Sequence, residues 1–121
     1  PALSQMLKSL LGQSAESRAA AFLKTQGLKL VARNWRGRFG EIDLIMRDDS
    51  TLVFIEVRLR SRSDFGGAAA SVTPAKQKKL LATAHQYLAT LKTLPPCRFD
   101  VVALSGDSAP DWIRNAFDDM G

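Results

Sequence analysis

A chain of 121 residues with 45% hydrophobic and 24% charged side chains has the composition of one globular domain, which excludes disorder and fibrous repeats. Seventeen basic against twelve acidic residues give +5; sixteen basic and seven acidic residues fall before position 100, so the excess suits a phosphate backbone or an anionic surface. Charge breaks every apolar run, which excludes a membrane-spanning helix, and a single cysteine (Cys97) with a single histidine (His85) excludes an intrachain disulfide or a Cys/His zinc cage.

The expected organisation is one domain over 1–121, with 1–11 a loose N-terminal segment. Within Pro1–Gln13 the leucines are interrupted by Ser4, Gln5, Lys8 and Ser9, unlike a secretory signal, so a cytoplasmic location is expected. Ala15, Ala19, Phe22 and Leu23 recur at helical spacing and predict a helix over 12–26, closed by Gly27 as a left-handed cap. Leu28 to Arg33 reads as a strand, Arg36 and Gly37 as a turn, and Glu41 to Arg47 as a second strand. After a turn at Asp48, Asp49 and Ser50, Thr51 to Leu59 alternates strictly and predicts the central strand. The serine-, glycine- and arginine-rich stretch 61–71 reads as a loop. Thr73 and Pro74 then form an N-cap and first-turn pair, opening a helix with an apolar stripe of Leu80, Ala84, Leu88 and Leu91 that ends at Leu94, Pro95 and Pro96. His85 is an ordinary residue of that helix, and Cys97 a small packed residue before the next strand, Arg98 to Leu104. Trp112 to Phe117 supply a last apolar segment of unassigned type, read as core rather than as an exposed patch. The fold class is α/β, in the order αβββαβ with a short tail.

Two carboxylates interrupt core-like runs: Asp43 between Ile42 and Leu44, and Glu56 between Ile55 and Val57. An uncompensated buried carboxylate costs several kcal/mol, so each demands a metal or a cationic partner. Their relation depends on the turn. Two residues at Asp48 and Asp49 set Asp43 opposite Phe54, four from Asp48 to Thr51 set it opposite Glu56, and both place the two acids on one face, whereas three would separate them. Glu16 lies about 20° from Leu23 and 60° from Ala19 on a helical wheel, at the shoulder of the apolar face, and can point toward the sheet. Asp43, Glu56 and Glu16 would make an oxygen-rich pocket for Mg²⁺ or Mn²⁺; plain ion pairs with Arg58 or Arg38 are the alternative.

Cations are clustered and interleaved with aromatics, as nucleic acid with its phosphates and stackable bases would require. Arg33, Arg36 and Arg38 surround Trp35 and Phe39, Arg58, Arg60 and Arg62 alternate, and Lys76, Lys78 and Lys79 open the second helix. Arg33, Arg36, Arg38, Arg60, Arg62 and Lys76 are the candidate nucleic-acid contacts.

Six ordered segments closely resemble the bacterial YraN-like family: Ala15-Glu16-Ser17-Arg18-Ala19, Ala32-Arg33-Asn34-Trp35-Arg36, Gly40-Glu41-Ile42-Asp43-Leu44-Ile45, Val53-Phe54-Ile55-Glu56-Val57-Arg58, Val72-Thr73-Pro74-Ala75-Lys76 and Arg98-Phe99-Asp100-Val101-Val102. The match runs from about Gly12 to Leu104. That family is assigned to the restriction-endonuclease-like superfamily, near the archaeal Holliday-junction resolvases. The resemblance implies an αβββαβ core with a mixed central sheet flanked by helices, and a metal-dependent nuclease site of the pattern acid, Asp, Glu-x-Lys. Carried over by position, Glu16 is the helical acid and Asp43 and Glu56 are the strand ligands; Glu41 and Lys76 match family positions without an assigned role. Junction-cutting relatives act as dimers, so a homodimer is an expectation by analogy.

This chain departs from the family at Arg58, where the motif lysine is usual, and more mildly at Ala15, where glycine is common. Arginine can clamp a phosphate in a bidentate manner, but with a pKa above about 12 it is a poor base. Lys76 or Lys79 could supply the missing amine. The expected function is a Mg²⁺- or Mn²⁺-dependent endonuclease acting on DNA, including branched or repair intermediates, with Glu16, Asp43, Glu56 and Arg58 as its catalytic set. The alternative is a nucleic-acid-binding module of the same fold, silenced by Arg58. If position 58 must act as a base, Arg58→Lys should raise cleavage.

Overall fold

The computed structural model describes residues 2–60, 72–106 and 108–118. Helix α1 (Ala2–Thr25) is followed by strands β1 (Lys29–Arg36), β2 (Glu41–Asp48) and β3 (Thr51–Leu59), helix α2 (Pro74–Leu88), and strands β4 (Cys97–Leu104) and β5 (Asp111–Phe117). The five strands form one mixed sheet in the order β1-β2-β3-β4-β5. Neighbours are antiparallel except β3 and β4, which run parallel because the α2 connection returns the chain to the same end of the sheet.

Each face of the sheet is covered by a helix. Small residues on α1, Ala15, Ala19 and Ala20, let it approach closely, and with Leu23 they pack on Leu44, Met46, Val53, Ile55, Val102 and Leu104. On the other face, Leu80 and Ala84 of α2 meet Ile45, Leu52, Phe54, Val101 and Ala103. A fully buried aliphatic side chain contributes about 1.5–3 kcal/mol, so these two layers supply most of the driving force. Both faces of β3 are buried, as a central strand between two helical layers requires.

The predicted helix caps form as expected. Gly27, at φ +96°, closes α1: the Gly27 amide donates to the Lys24 carbonyl (3.1 Å) and the Leu28 amide to the Leu23 carbonyl (3.1 Å), while Leu23 and Leu28 share a core cluster. Thr73 accepts from the Lys76 amide (3.2 Å), with Pro74 in the first turn.

Several boundaries move. Helix α1 begins at Ala2 rather than near residue 12, and its first turns leave Leu3, Met6 and Leu7 exposed. Strand β1 continues to Arg36, which pairs with Glu41, and the turn is instead residues 37–40, closed by the Gly37 amide on the Gly40 carbonyl (2.9 Å). That turn is tied to α2 by the Arg38 amide on Gln86 Oε1 (2.8 Å); a Cβ at Gly37 would collide with the same glutamine side chain. Helix α2 stops at Leu88, where the Thr90 hydroxyl takes the Tyr87 carbonyl (2.7 Å) and i→i−3 bonds tighten the chain, so Leu91 packs on the core from outside the helix. Cys97 is exposed rather than packed, being the first residue of β4 with its thiol on the Pro95 carbonyl (3.3 Å). The last apolar segment is β5, whose Trp112, Ile113 and Phe117 are half-buried against the two clusters. The expected loop 61–71, with Arg62, lies outside the described residues. Among the described residues no helix is long and apolar enough to cross a membrane.

Candidate active site

Strands β2 and β3 pair from Asp48↔Thr51 to Leu44↔Ile55. The two-residue turn is Asp49–Ser50, with Asp49 at φ +56°, and the register is the one that sets Asp43 against Glu56. Beyond Leu44↔Ile55 the ladder opens, and the Val57 amide donates to the Asp43 carboxylate (Oδ2, 2.8 Å). Asp43 and Glu56 therefore flank a fork in the sheet. They line two adjoining cavities, of about 490 and 390 Å³, and share both with Lys76 from the first turn of α2. Ala15, Glu16 and Arg58 complete the second, and Glu41 and Lys79 help line the first.

Helix α1 carries Glu16 to the fork because the residues flanking it on the wheel are core. Glu16 is only 9% exposed, and its Oε2 is buried without a hydrogen-bond partner among the described residues. Burial pushes its carboxyl above the ordinary value, reinforced by Glu41; hydrogen bonds with Asn34 and Asp43 and the charge of Arg33 oppose the shift. Asn34 occupies the left-handed region within β1 (φ +50°), a conformation asparagine tolerates better than most residues.

Asp43 is the most perturbed group of the site. Burial, then repulsion from Glu56, Glu16 and Glu41, push its carboxyl up to about 8 against the single opposing Val57 amide. Among the described residues no ion pair reaches it. Glu56, at 5% exposure, is compensated: Lys76 Nζ lies 2.8 Å from its Oε1, and Arg58 Nη1 lies 3.7 Å from the same oxygen. The ion pair expected for a buried acid thus forms at Glu56, chiefly through Lys76, and does not form at Asp43.

The structure also brings in Glu41. One oxygen each from Glu16, Glu41 and Asp43 lie within 4.8 Å of one another. The signal was in the sequence, since residues two apart on a strand share a face. A second overlooked carboxylate, Asp100, is 1% exposed on β4 but lies among donors, so its part is structural.

The candidate nucleic-acid contacts do not form one patch. Arg33 and Arg36 are exposed on the β1 edge, where Arg33 donates to Ser17 Oγ (2.7 Å) and Arg36 pairs with Glu41 (3.4 Å); Arg38 is exposed in the adjoining turn. Arg60 is tied to Asp111 of β5 (3.3 Å), across the sheet from that edge. Lys76 stands in the cavities themselves.

Residues 15–104 match the family model described as Uncharacterised protein family UPF0102. A UPF0102 protein of Nitrosomonas europaea is 58% identical over 110 residues, covering 89% of this chain and 93% of its own length. Another, from Cupriavidus necator, is 61% identical over 110 residues (90% and 83%), and one from Nitrosospira multiformis is 56% identical over 115 residues (93% and 97%).

Proposed function

The chain belongs to the uncharacterised family UPF0102, and from the chemistry of its cavity we propose that it is a divalent-metal-dependent endonuclease with a restriction-endonuclease-like core, hydrolysing phosphodiester bonds in DNA. One observation carries the reading. Acids from α1, β2 and β3 converge on a half-buried fork in which, among the described residues, Asp43 has no cation and a Glu16 oxygen has no donor, beside an ammonium from α2. Such a donor set, anionic and all oxygen, fits Mg²⁺ or Mn²⁺. Glu16, Asp43 and Glu56 would hold the ion, which supplies a lowered water pKa and neutralises charge building on the phosphate.

The remaining work falls to the chain's own cations. Lys76, 43% exposed and 2.8 Å from Glu56, is placed to bind the phosphate and to hold or give up a proton at Nζ. Arg58, a third exposed at the mouth of the second cavity, clamps a phosphate oxygen but does not serve as a base. Lys76 thereby takes the part of the motif lysine. Branched or repair intermediates are the substrates suggested by the family resemblance, and a homodimer the assembly; Arg33, Arg36 and Arg38 would contact the backbone outside the cleft.

The test is cleavage of branched and linear DNA with Mg²⁺ and with Mn²⁺ by the wild type, Lys76→Ala, Arg58→Lys and Glu56→Ala. Lys76→Ala should lower cleavage by about 10²–10³-fold, the scale of one lost transition-state donor. Glu56→Ala should be silent, and Arg58→Lys close to wild type. Binding should weaken as salt rises, because neutralised phosphates release counterions. Activity that survives Glu56→Ala would belong to a contaminant and remove the enzymatic reading. DNA bound by the wild type without cleavage in either metal would make the chain a binding module.

A further inference from the structure

Glu41 has no part in the reading above, and the inference drawn from it rests on that reading's cation. It stands at the start of β2, two residues before Asp43, and offers an oxygen within 4.8 Å of oxygens from both Glu16 and Asp43. Around Mg²⁺, Mn²⁺ or Ca²⁺, with ligands at about 2.0–2.6 Å, oxygens stand roughly 3–5 Å apart, so the three need only small side-chain adjustments to share one ion. The cluster is more than an acidic surface. Glu16 is nine-tenths buried, and its Oε2 has no hydrogen-bond partner among the described residues. A carboxylate oxygen buried without a donor beside other acids is stabilised by a shared proton or, once the acids ionise, by a cation.

Glu56 is differently placed. Its Oε1 is occupied by Lys76 at 2.8 Å, with Arg58 behind at 3.7 Å. Glu41 faces a weaker competitor, Arg36, whose Nε is 3.4 Å away on a side chain 81% exposed. An exposed pair of this kind holds with little energy and is easily exchanged. We propose that Glu41 is a further direct ligand of the divalent cation, joining Glu16 and Asp43, with Glu56, held by Lys76, the weakest of the four. Cation binding then releases Arg36 on the β1 edge, where it is free for an incoming phosphate.

The experiment is a Mn²⁺ titration of the full chain, with free Mn²⁺ followed by electron paramagnetic resonance, for the wild type, E41Q, E56Q and D49N. Asp49 is an exposed acid in the turn beyond the far end of β2 and controls for a change of charge alone. E41Q should weaken binding by about tenfold or more, E56Q by less, and D49N should match the wild type. Melting without metal separates a ligand from a structural residue: E41Q should melt at or above the wild type, because one repelling charge is gone. E41Q binding within about twofold of wild type, or melting clearly lower, would overturn the assignment and leave the nuclease reading standing. A wild type that takes up no Mn²⁺ would overturn both.

Discussion

Asp100 and Asp43 are carboxylates on the same sheet, withdrawn from water to different ends. Asp100 is met by donors from its own hairpin: Arg98 Nε at 3.0 and 3.2 Å, the Trp112 indole N–H at 2.9 Å and the Asn115 amide at 2.9 Å. Arg98 reaches on to Asp48 (2.8 Å) and joins β4 to the end of β2. Among the described residues Asp43 has a single backbone donor and three acidic neighbours. A buried charge is tolerated where the fold brings its partners; where the fold brings further acids instead, compensation has to come from a proton or, on the reading proposed above, from a cation. The first arrangement stabilises the sheet, and the second leaves repulsion within the fork.

The sharpest way to break the contrast is to truncate each acid. Asp100→Ala leaves Arg98 Nε, the Trp112 N–H and the Asn115 amide without their acceptor, with Arg98 Nη1 still on Asp48, and should cost about 3–5 kcal/mol in urea unfolding. A loss below about 1 kcal/mol would show that the β4–β5 network is dispensable. Asp43→Asn should act in the opposite direction. The amide oxygen can still accept from Val57, while the charge repelled by Glu56, Glu16 and Glu41 is removed, so the metal-free variant should gain several kcal/mol near pH 8 and little near pH 4. Destabilisation at pH 8 would mean that Asp43 is held by compensation of the kind seen at Asp100.

Much of this contrast was legible in the sequence because it follows from periodicity and local chemistry. The bounds of β3, the Gly27 cap and the Thr73–Pro74 start of α2 depend on residues near one another in the chain. Glu16 was legible from the helical wheel, and Asp43 and Glu56 from their place inside apolar runs. The β2–β3 turn was not, because Asp49 enters the left-handed region and closes the hairpin in two residues, a choice that composition leaves open. The early start of α1 was hidden for a different reason: the apolar Leu3, Met6 and Leu7 face solvent, so they do not mark a core face. Glu41's place beside Asp43 was legible from their two-residue spacing, but its meeting with Glu16, like that of Asp100 with Trp112 and Asn115, depends on partners distant in sequence that only the fold brings together.

The central claim, an acidic fork that stands ready for a divalent cation, is tested most directly by thermal unfolding of the wild type from pH 4 to pH 9, with and without Mn²⁺. The Asp43 carboxyl is raised from 3.8 to about 8 in the folded chain, so the native state binds more protons than the unfolded state between those values. Stability without metal should therefore fall as pH rises through that window. Mn²⁺ should change little near pH 4, where protons occupy the carboxylates, and should restore the melting temperature progressively above about pH 6. A melting temperature that is flat across this range and indifferent to Mn²⁺ at every pH would contradict the account.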